Sequence, residues 1–505
     1  MRPYSPSRDP NAPYSSFSTE SPSRKGYQRG LGNDTPMNIY PAEKSNGRIS
    51  YIKYIIAFST FICFTVIITV MVKSSSGNSL TTDGSNDVFS DAPTFLGGWI
   101  YVLAGTGTPG YNGDNISGDL ASLNYPVAIL IQEESNGKPE NAVFIADTRN
   151  NRVRYMSGES NEITTYCGTG TAGYNGDKIW ATSAELNAPE GLALDSKSNL
   201  YIADTGNQLI RMVKISNNKI YYIAGTLGVK GYTGDNGDAT SATFHNPIGL
   251  AIDIANNDDI YVADSKNNAI RRIDGKTYII TTFAGTGAQG YSGDNGPASA
   301  ATFYYPRGIF LETFQPTAFP HLYVADTENH VIRKIARTSA TEGTVTTFIG
   351  TGVGGYNGDG LDVRSTQLYK PESIAVDDFG AYYVSDSQNF RIRTFSYLDS
   401  IVYTCAGTGV SGTVVTTSSG TLGTKFALGQ PRGICVDSDN DLIIADEFLN
   451  AAFTIEKTPT SAPTIEPTKK SPVASPVATG SPASSPVKSP VASPVASPVK
   501  TPTKR

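Results

Sequence analysis

The chain has 505 residues, of which 50 are glycine and 28 are tyrosine, and it carries a formal net charge of −6. Abundant glycine and tyrosine favour turns and strands over long helices, and four cysteines are too few for a disulfide framework. Residues 1–53 carry +4, residues 457–505 carry +6 and Lys73 adds +1, so residues 74–456 carry −17. Because this negative charge repels the phosphate backbone of a nucleic acid, nucleic acid is not an expected partner.

One segment near the N-terminus is strongly apolar. The 19 residues from Tyr54 to Val72 carry no charge. As a helix they would measure about 28 Å, near the thickness of the hydrocarbon core of a bilayer. Basic residues precede this segment, and acidic and polar residues follow it. By the positive-inside rule, the sequence predicts a single-pass, type II signal-anchor with the rest of the chain extracellular or lumenal.

A ten-residue motif recurs six times along the body. The copies read IADTRNNRVR, IADTGNQLIR, VADSKNNAIR, VADTENHVIR, VSDSQNFRIR and a degraded IADEFLNAAF. Their aspartates are 57 to 62 residues apart, and a strand-like segment that begins with proline precedes each copy. Each unit therefore predicts four short strands: a after the proline, b ending at the aspartate, c carrying Ile-Arg or its equivalent, and d ending at a glycine turn.

The repeat predicts the whole fold, because four-stranded units repeated radially form a propeller. Six a–b–c sets are present, but only five d strands follow one, and GWIYVLAGTG from Gly98 can supply the sixth. We therefore predict an all-β, six-bladed β-propeller of four-stranded antiparallel blades, preceded by one transmembrane helix and flanked by disordered tails. The predicted regions are a disordered cytosolic region (1–53), the transmembrane helix (54–72), a linker (73–96), the propeller (97–457) and a disordered Ser/Pro/Val-rich tail (458–505).

The repeat resembles a known family. Pro-x-Gly-[Leu/Ile]-Ala-x-Asp, then [Tyr/Val]-[Ile/Val]-Ala-Asp-[Thr/Ser]-x-Asn, then [Ile/Val]-Arg resembles the NHL repeat, in several copies. The linker AGTG-x-x-GY-x-GD is similar to a variant found in many NHL proteins and, more distantly, to the NHL region of the teneurins, which are type II membrane proteins. The resemblance implies a six-bladed NHL propeller. The cysteine-rich and Tyr-Asp repeats of teneurins are missing, so it implies no adhesion function.

Two sets of acidic turns are the candidate binding residues. GYxGD occurs five times between a strand d and the next strand a, and Asp-x-x-Asn lies between b and c. In an antiparallel four-stranded blade these connections emerge on one face, which predicts a shared binding face. Its aspartates are Asp114, Asp177, Asp235, Asp294 and Asp359 from the first set, and Asp147, Asp204, Asp264, Asp326 and Asp386 from the second.

The same residues also have a structural interpretation. Glycine permits turns with positive φ, and Asp and Asn side chains bond to turn backbone. The candidate structural residues are Asn150, Asn207, Asn267, Asn329 and Asn389, with Arg154, Arg211, Arg271, Arg333 and Arg393 as ion-pair partners of the repeat aspartates. The tyrosine of GYxGD can pack against a neighbouring blade.

Metal binding and catalysis have weak signals. Asp235, Asp238 and Asp294 offer clustered oxygen ligands, so calcium is a possible cofactor, but the spacing is not that of an EF-hand. No other cofactor is expected, because no loop has the Walker pattern. The three histidines are predicted on different faces, and no nucleophile elbow occurs, so no catalytic residue is identified and an enzyme is not expected.

The sixth unit and the C-terminal tail depart from the pattern. The sixth unit lacks GYxGD and the closing arginine, as expected either of a closing blade with different packing or of a partner site. The tail suggests an O-glycosylated stalk, a wall-associated segment or an inert linker. Asn115 heads the one N-glycosylation sequon after the apolar segment.

These observations predict a membrane-anchored binding module for a protein or glycan ligand on a propeller face. The alternatives are a metal-dependent hydrolase or lyase and a purely structural surface or cell-wall protein.

Overall fold

The computed structural model describes residues 98–132, 142–312, 318–413 and 420–456. Their strands form six antiparallel sheets, and single-turn 3-10 helices lie in the connections between strands. This confirms the all-β, six-bladed propeller. No helix in these four ranges is long and apolar enough to cross a membrane. The predicted membrane span at residues 54–72 lies outside the described residues, as do the predicted terminal regions and the linker at 73–96.

The strands follow the predicted a–b–c–d order. The first strand is β1 (Trp99–Ala104). Blade 1 contains β2 (Ile116–Ser117), β3 (Pro126–Gln132), β4 (Ala142–Asp147), β5 (Arg152–Met156) and β6 (Glu162–Cys167). Blade 2 contains β7 (Pro189–Leu194), β8 (Leu200–Asp204), β9 (Leu209–Lys214) and β10 (Lys219–Gly225). Blade 3 contains β11 (Gly237–Asp238), β12 (Pro247–Asp253), β13 (Asp259–Asp264), β14 (Ala269–Ile273) and β15 (Ile279–Ala284).

The remaining blades repeat this order. Blade 4 contains β16 (Gly296–Pro297), β17 (Pro306–Leu311), β18 (Leu322–Asp326), β19 (Val331–Arg337) and β20 (Gly343–Ile349). Blade 5 contains β21 (Leu361–Asp362), β22 (Pro371–Val376), β23 (Ala381–Asp386), β24 (Arg391–Ser396) and β25 (Ile401–Ala406). Blade 6 contains β26 (Thr421–Leu422), β27 (Pro431–Val436), β28 (Leu442–Asp446) and β29 (Ala451–Glu456).

Short 3-10 helices occupy two kinds of connection. Those in the d-to-a linkers are Gly118–Leu120, Ala181–Ser183, Ala239–Ser241, Ala298–Ala300 and Gly423–Lys425. Those in the b-to-c turns are Thr148–Asn150, Thr205–Asn207, Ser265–Asn267, Thr327–Asn329 and Ser387–Asn389.

The ring is closed by strands from both ends of the propeller. The sixth sheet has the order β26-β1-β29-β28-β27, so the N-terminal strand β1 is strand d of blade 6. It pairs antiparallel with β29, with Ile100 opposite Ile455 and Tyr101 opposite Thr454. The predicted closure is confirmed, and it covers an edge that would otherwise be open to pairing with another chain.

Five of the six sheets have a fifth strand that the sequence analysis did not predict. The two-residue strands β2, β11, β16, β21 and β26 come from the d-to-a linkers and pair with the outer strand of their blade. In blade 2 a single bridge between Trp180 and Lys219 takes their place. Each linker therefore crosses its blade from the outer edge to the central axis.

Small residues on the inner strands let the blades converge. A Cβ on Gly191 would lie 1.9 Å from the carbonyl oxygen of Ile248, and one on Gly249 would lie 2.1 Å from that of Arg307. Gly308 and Gly433 make the same close approach to the next inner strand. The hydrophobic core lies between neighbouring blades. In one cluster, Tyr201 of blade 2 packs with Val262 of blade 3 and with Phe244 of the linker that precedes blade 3.

Candidate functional site

The d-to-a linkers and the b-to-c turns lie together on one side of the ring, which we call the linker face. The contacts between them show this directly, since Asn150 in a b-to-c turn donates from Nδ2 to the carbonyl oxygen of Gly110 in a linker, at 2.6 Å. The a-to-b and c-to-d turns occupy the opposite side, which we call the turn face. The prediction that the two acidic motifs share a face is confirmed.

A buried arginine joins the two aspartate sets in four of the six blades. In blade 4, Arg333 contacts Asp294 of the linker at 2.7 Å and Asp326 of the b-to-c turn at 3.4 Å. Arg154, Arg271 and Arg393 make the equivalent pairs with the linker and turn aspartates of blades 1, 3 and 5. These arginines are almost completely buried, and their contacts are the ion pairs with the repeat aspartates that the sequence predicts.

Blade 2 is an exception to this pairing. Arg211 lies 3.7 Å from Asp204, but it donates to the backbone carbonyls of Gly176 and Glu185. Asp177 instead accepts a hydrogen bond from the amide of Tyr222 at 2.7 Å.

The aspartates of the b-to-c turns are interior residues, which corrects their assignment to the binding face. Asp147 is fully buried, and its carboxylate accepts from the amide of Asn124 at 2.7 Å and from Asn150 Nδ2 at 2.8 Å. The same two bonds recur at Asp204, Asp264, Asp326 and Asp386, all fully buried. Their oxygens are used inside the turn, so a ligand on the linker face does not reach them.

Burial also changes the protonation of these five groups. It raises the pKa of Asp147, Asp204, Asp264, Asp326 and Asp386 to about 6, although hydrogen bonds from Asn and backbone amides and the neighbouring arginine oppose the shift. At the linker aspartate Asp294, by contrast, bonds from Thr347 and the charge of Arg333 outweigh partial burial and lower the pKa.

The repeated asparagines hold the turn and the linker together. Each of them donates both to the buried aspartate of its turn and to the carbonyl of the first glycine of GYxGD. Those glycines are Gly110, Gly173, Gly231, Gly290 and Gly355, which pair with Asn150, Asn207, Asn267, Asn329 and Asn389. These bonds are the turn contacts that the structural interpretation of the asparagines predicts.

Two further positions of the motif connect neighbouring blades, which the sequence analysis missed. Thr148, directly after the aspartate, donates from Oγ1 to the carbonyl of Pro189 at the start of the next inner strand, at 2.7 Å. Asn151, directly after the repeat asparagine, accepts from the amide of Ala188 at 3.0 Å. A hydroxyl after the aspartate and a polar side chain after the asparagine recur in most units, and this recurrence was the available signal.

The tyrosines of GYxGD stand on the linker face over the buried arginines. The arginine guanidinium carbons of blades 1, 3, 4 and 5 lie 5.0 to 5.1 Å from the ring centroids of Tyr111, Tyr232, Tyr291 and Tyr356. These tyrosines are 38 to 44% exposed. A second arginine stacks on two of them, since the guanidinium carbons of Arg152 and Arg391 lie 3.8 Å from the ring centroids of Tyr111 and Tyr356. Tyr174 of blade 2 has the same stacking at 4.7 Å. The tyrosine also packs on the neighbouring unit, since Tyr232 lies beneath Gly287 of the next linker.

The aspartates of the linkers are half-exposed but engaged. The side chains of Asp114, Asp235, Asp294 and Asp359 are 31 to 43% exposed, and each is ion-paired with the arginine of its blade. Asp238, the other calcium candidate, accepts from the amide and hydroxyl of Thr240 and so caps a 3-10 helix. Across the four described ranges no group of three or more His, Cys, Asp or Glu side chains could hold a metal ion.

Blade 6 replaces the ion-paired arginine with an aromatic core. Phe453 occupies the arginine position and is fully buried, with its ring 5.0 Å from that of Phe426. Asp446 then accepts from four backbone amides, those of Gly429, Gln430, Phe448 and Leu449. Backbone amides alone therefore satisfy the carboxylate of Asp446, with no arginine, as expected of a closing blade whose packing differs.

The inner strands enclose a cavity of about 630 Å³ along the ring axis. At the linker face, Arg307 contacts Glu372 at 2.7 Å and Glu190 at 3.2 Å across the opening, while Arg432 pairs with Glu447. Glu190, Arg307, Glu372 and Arg432 follow the proline of strand a, and Glu447 follows the aspartate of the b-to-c turn in blade 6. The sequence analysis did not single out these positions. These side chains place a buried ion-pair network across this mouth of the cavity.

Comparisons with known proteins agree with this geometry. The family model for the NHL repeat matches residues 244–273, which span β12 to β14 of blade 3. This chain is an NHL repeat-containing β-propeller. The resemblance predicted from the motifs is confirmed.

Relatives of this NHL propeller are longer proteins. This chain is 27% identical over 332 residues to Protein SUPPRESSOR OF QUENCHING 1, chloroplastic, of Arabidopsis thaliana. The match covers 64% of this chain and 29% of that protein. The chain is 26% identical over 332 residues to NHL repeat-containing protein 2 of Gallus gallus, covering 60% and 43%. Teneurin-1 of Homo sapiens is 27% identical over 248 residues, covering 44% and 8%. The chain thus spans less than half the length of these relatives.

Among solved structures, an auxiliary nutrient binding protein from Bacteroides thetaiotaomicron has a TM-score of 0.51 at 15% identity, covering 71% of this chain and 76% of that one. At this identity the similarity concerns the fold alone.

Proposed function

We propose that this NHL propeller is a membrane-anchored binding module that recognises a protein partner with its linker face. The observation that carries the proposal is the set of tyrosines on that face, 38 to 44% exposed and each stacked on a buried arginine. Tyrosine offers a large contact area at low entropic cost, and it is enriched where proteins meet. Because each ring is held from below, little freedom remains to be lost on binding.

Exposed aliphatic residues in the same linkers extend this surface. Val229 and Val353 are 47% and 58% exposed and precede the tyrosines of their linkers, and Val410 is 69% exposed in the linker of blade 6, which has no tyrosine. Both described ends of the propeller, Gly98 and Glu456, lie at the turn-face ends of their strands. The linker face combines aromatic and aliphatic contacts.

The membrane anchor and the extracellular or lumenal location belong to this proposal through the sequence. The apolar segment from Tyr54 to Val72 and the basic residues before it support an anchored chain with the propeller on the non-cytosolic side. The N-glycosylation sequon at Asn115 supports that location, because this residue is exposed on the edge of blade 1 and accessible to a glycan. Fluorescence protease protection in cells, with tags at each terminus, tests the orientation.

A binding screen tests the linker face. The full chain, purified in detergent, is applied to arrays of ectodomain proteins and of glycans, and each hit is retested with the double variant Tyr232→Ala and Tyr291→Ala. Tyr278→Ala is the matched control, since Tyr278 is 39% exposed but lies on the turn face. We expect a protein hit whose affinity falls at least tenfold in the double variant only, with all three proteins melting as cooperative units.

Other outcomes would redirect the proposal. Glycan hits that depend on the same tyrosines would keep the face and change the ligand class. Equal affinity of the double variant and the control would overturn the linker face as the binding surface. Turnover of a lactone or phosphoester that a chelator abolishes would favour the hydrolase or lyase, and saturable binding nowhere on the protein would favour a purely structural role.

A further inference from the structure

Three turns of blades 5 and 6 lie side by side on the turn face. The amide of Asp378 in the a-to-b turn of blade 5 donates to Asn440 Oδ1 in that of blade 6, at 2.9 Å. The amide of Tyr397 in the c-to-d turn of blade 5 donates to the carbonyl of Gly380, at 3.1 Å. Residues 377–380, 396–400 and 437–441 therefore form one surface, which we call the blade 5–6 patch.

The patch exposes three large apolar side chains. Phe379 is 73% exposed, Tyr397 is 57% exposed and Leu398 is 92% exposed. Scattered apolar residues are ordinary on a protein surface, but three on two touching turns form a contiguous group. A non-polar contact that covers them would remove a large apolar area from water.

The patch is also strongly acidic. It contains six aspartates and no lysine or arginine. Asp377 is buried, and the five that are at least partly exposed are Asp378, Asp399, Asp437, Asp439 and Asp441. Backbone amides bond to Asp377 and Asp437, which orders the turns without removing their negative charge. An apolar group surrounded by negative charge favours an occupant that carries both apolar and basic side chains.

The chain itself contains a segment of this chemistry that starts at the same face. Strand β29 ends at Glu456, on the turn-face side of blade 6, and residues 457–505 follow it. These 49 residues carry seven Lys or Arg against one Glu, and they repeat Ser-Pro-Val with lysine directly after it at Lys488 and Lys500. Valine and proline supply apolar contacts, and lysine supplies the charge that the patch lacks.

Length and connection favour binding within one molecule. At about 3.1 Å per residue for an extended proline-rich chain, a few tens of residues reach any point on the turn face. A covalently linked segment has an effective concentration of the order of millimolar, so a weak contact becomes populated. We propose that the basic Ser-Pro-Val segment of residues 457–505 binds the blade 5–6 patch of its own chain.

Zero-length carbodiimide cross-linking of the full chain tests this proposal, because it joins lysine to carboxylate only at contact distance. We expect the dominant links to join Lys488 or Lys500 to Asp378, Asp399 or Asp439. Their yield should be at least threefold lower in 0.5 M sodium chloride, where the Debye length is only about 4 Å and the charges are screened. In the double variant Phe379→Ser and Leu398→Ser, the yield of these cross-links should also fall at least threefold. The matched control is Ile254→Ser, since Ile254 is 57% exposed on the turn face of blade 3.

Three results would overturn the proposal. One is cross-links distributed evenly over all acidic turns. Another is an equal yield in the double variant and in Ile254→Ser. The third is cross-links between chains in a mixture of isotopically light and heavy protein, which would assign the patch to a second copy. Circular dichroism melting of each variant confirms that the propeller is intact.

Discussion

At the scale of the residue, the recurring Asp–Arg pairs are the internal framework of the linker face. Arg333 is fully buried between Asp326 and Asp294, and only Asp294 is in contact with water. Removing one partner of a buried ion pair leaves an uncompensated charge in a medium of low polarity. The pair of ion pairs therefore has a packing role in the four blades that contain it, whereas blades 2 and 6 use other contacts.

Removal of the buried arginine should be costly. We expect Arg333→Leu to lower the free energy of unfolding by about 3–5 kcal/mol, since Asp326 would keep its buried charge without its partner. Asp294→Ala should cost about 1 kcal/mol or less, because a half-exposed carboxylate contributes little net energy. Urea unfolding measures both, and equal losses for the two variants would contradict this division of roles.

Calcium should have little effect on the stability of the fold. Asp235 and Asp294 are already neutralised by Arg271 and Arg333, and Asp238 bonds to Thr240, so a cation would have to displace these contacts. We expect the melting temperature to be the same in millimolar calcium and in excess EGTA. A rise of several degrees in calcium that Asp235→Asn abolishes would show that the linkers are ligands after all.

At the scale of the element, the inner strand of each blade was predictable from the sequence, whereas the outermost two-residue strands and the ion pairs at the mouth of the cavity were not. The proline, the alternation and the small residues in segments such as PEGLALD predict strand a, and Gly191 and Gly249 are small because the next strand passes within contact of their Cα atoms. The two-residue outer strands were not predictable, because so short a pairing leaves no periodic pattern. The mouth network of Arg307, Glu190 and Glu372 was also missed, since its members are more than 60 residues apart and join only when the ring closes.

Crowding of the inner strands gives a direct test. A methyl group on Gly249 would lie 2.1 Å from the carbonyl oxygen of Arg307, which forces the backbone to shift. We expect Gly249→Ala to destabilise the fold by about 1–3 kcal/mol, the usual cost of overpacking. The control is Gly237→Ala, where the nearest atom would be 3.2 Å away, and a similar loss in the control would argue against convergence as the cause.

At the scale of the whole molecule, repetition sums small local effects. Five aspartates have a folded pKa of about 6 against an ordinary value of 3.8, so the folded state binds more protons than the unfolded chain between these values. Their contribution to stability is complete below pH 3.8 and is lost as the pH rises through 6. Burial lowers the pKa of His245, His321 and His330, and those three groups act in the opposite direction.

The net expectation is a propeller that becomes more stable from pH 7 to pH 5. Each aspartate contributes about 1 kcal/mol over this interval, and five of them outweigh three histidines. Urea midpoints measured at pH 7 and at pH 5 in the same ionic strength provide the comparison. A steady loss of stability on acidification would mean that the arginines keep these carboxylates ionised.

The whole fold was predictable because the repeat, the strand count and the N-terminal strand β1 all indicated six blades. The binding face was predictable only in part: the sequence places both acidic motifs on one face, but burial removes Asp147 and its four equivalents from it. Burial depends on how the Asp-x-x-Asn turn folds back on its own carboxylate, which no spacing in the sequence reveals. The sequence predicted the tyrosines only as packing residues, and their partial exposure on the linker face became evident only with the ring assembled.

Hydrogen–deuterium exchange of the full chain with a protein captured in the array screen tests recognition by the linker face. We expect slower exchange on binding in the linkers around Tyr232 and Tyr291, at residues 226–235 and 285–294, with no change in the a-to-b turns. Protection confined to the turn face, with the linkers unchanged, would contradict recognition by the tyrosines and leave the linker face a purely structural surface.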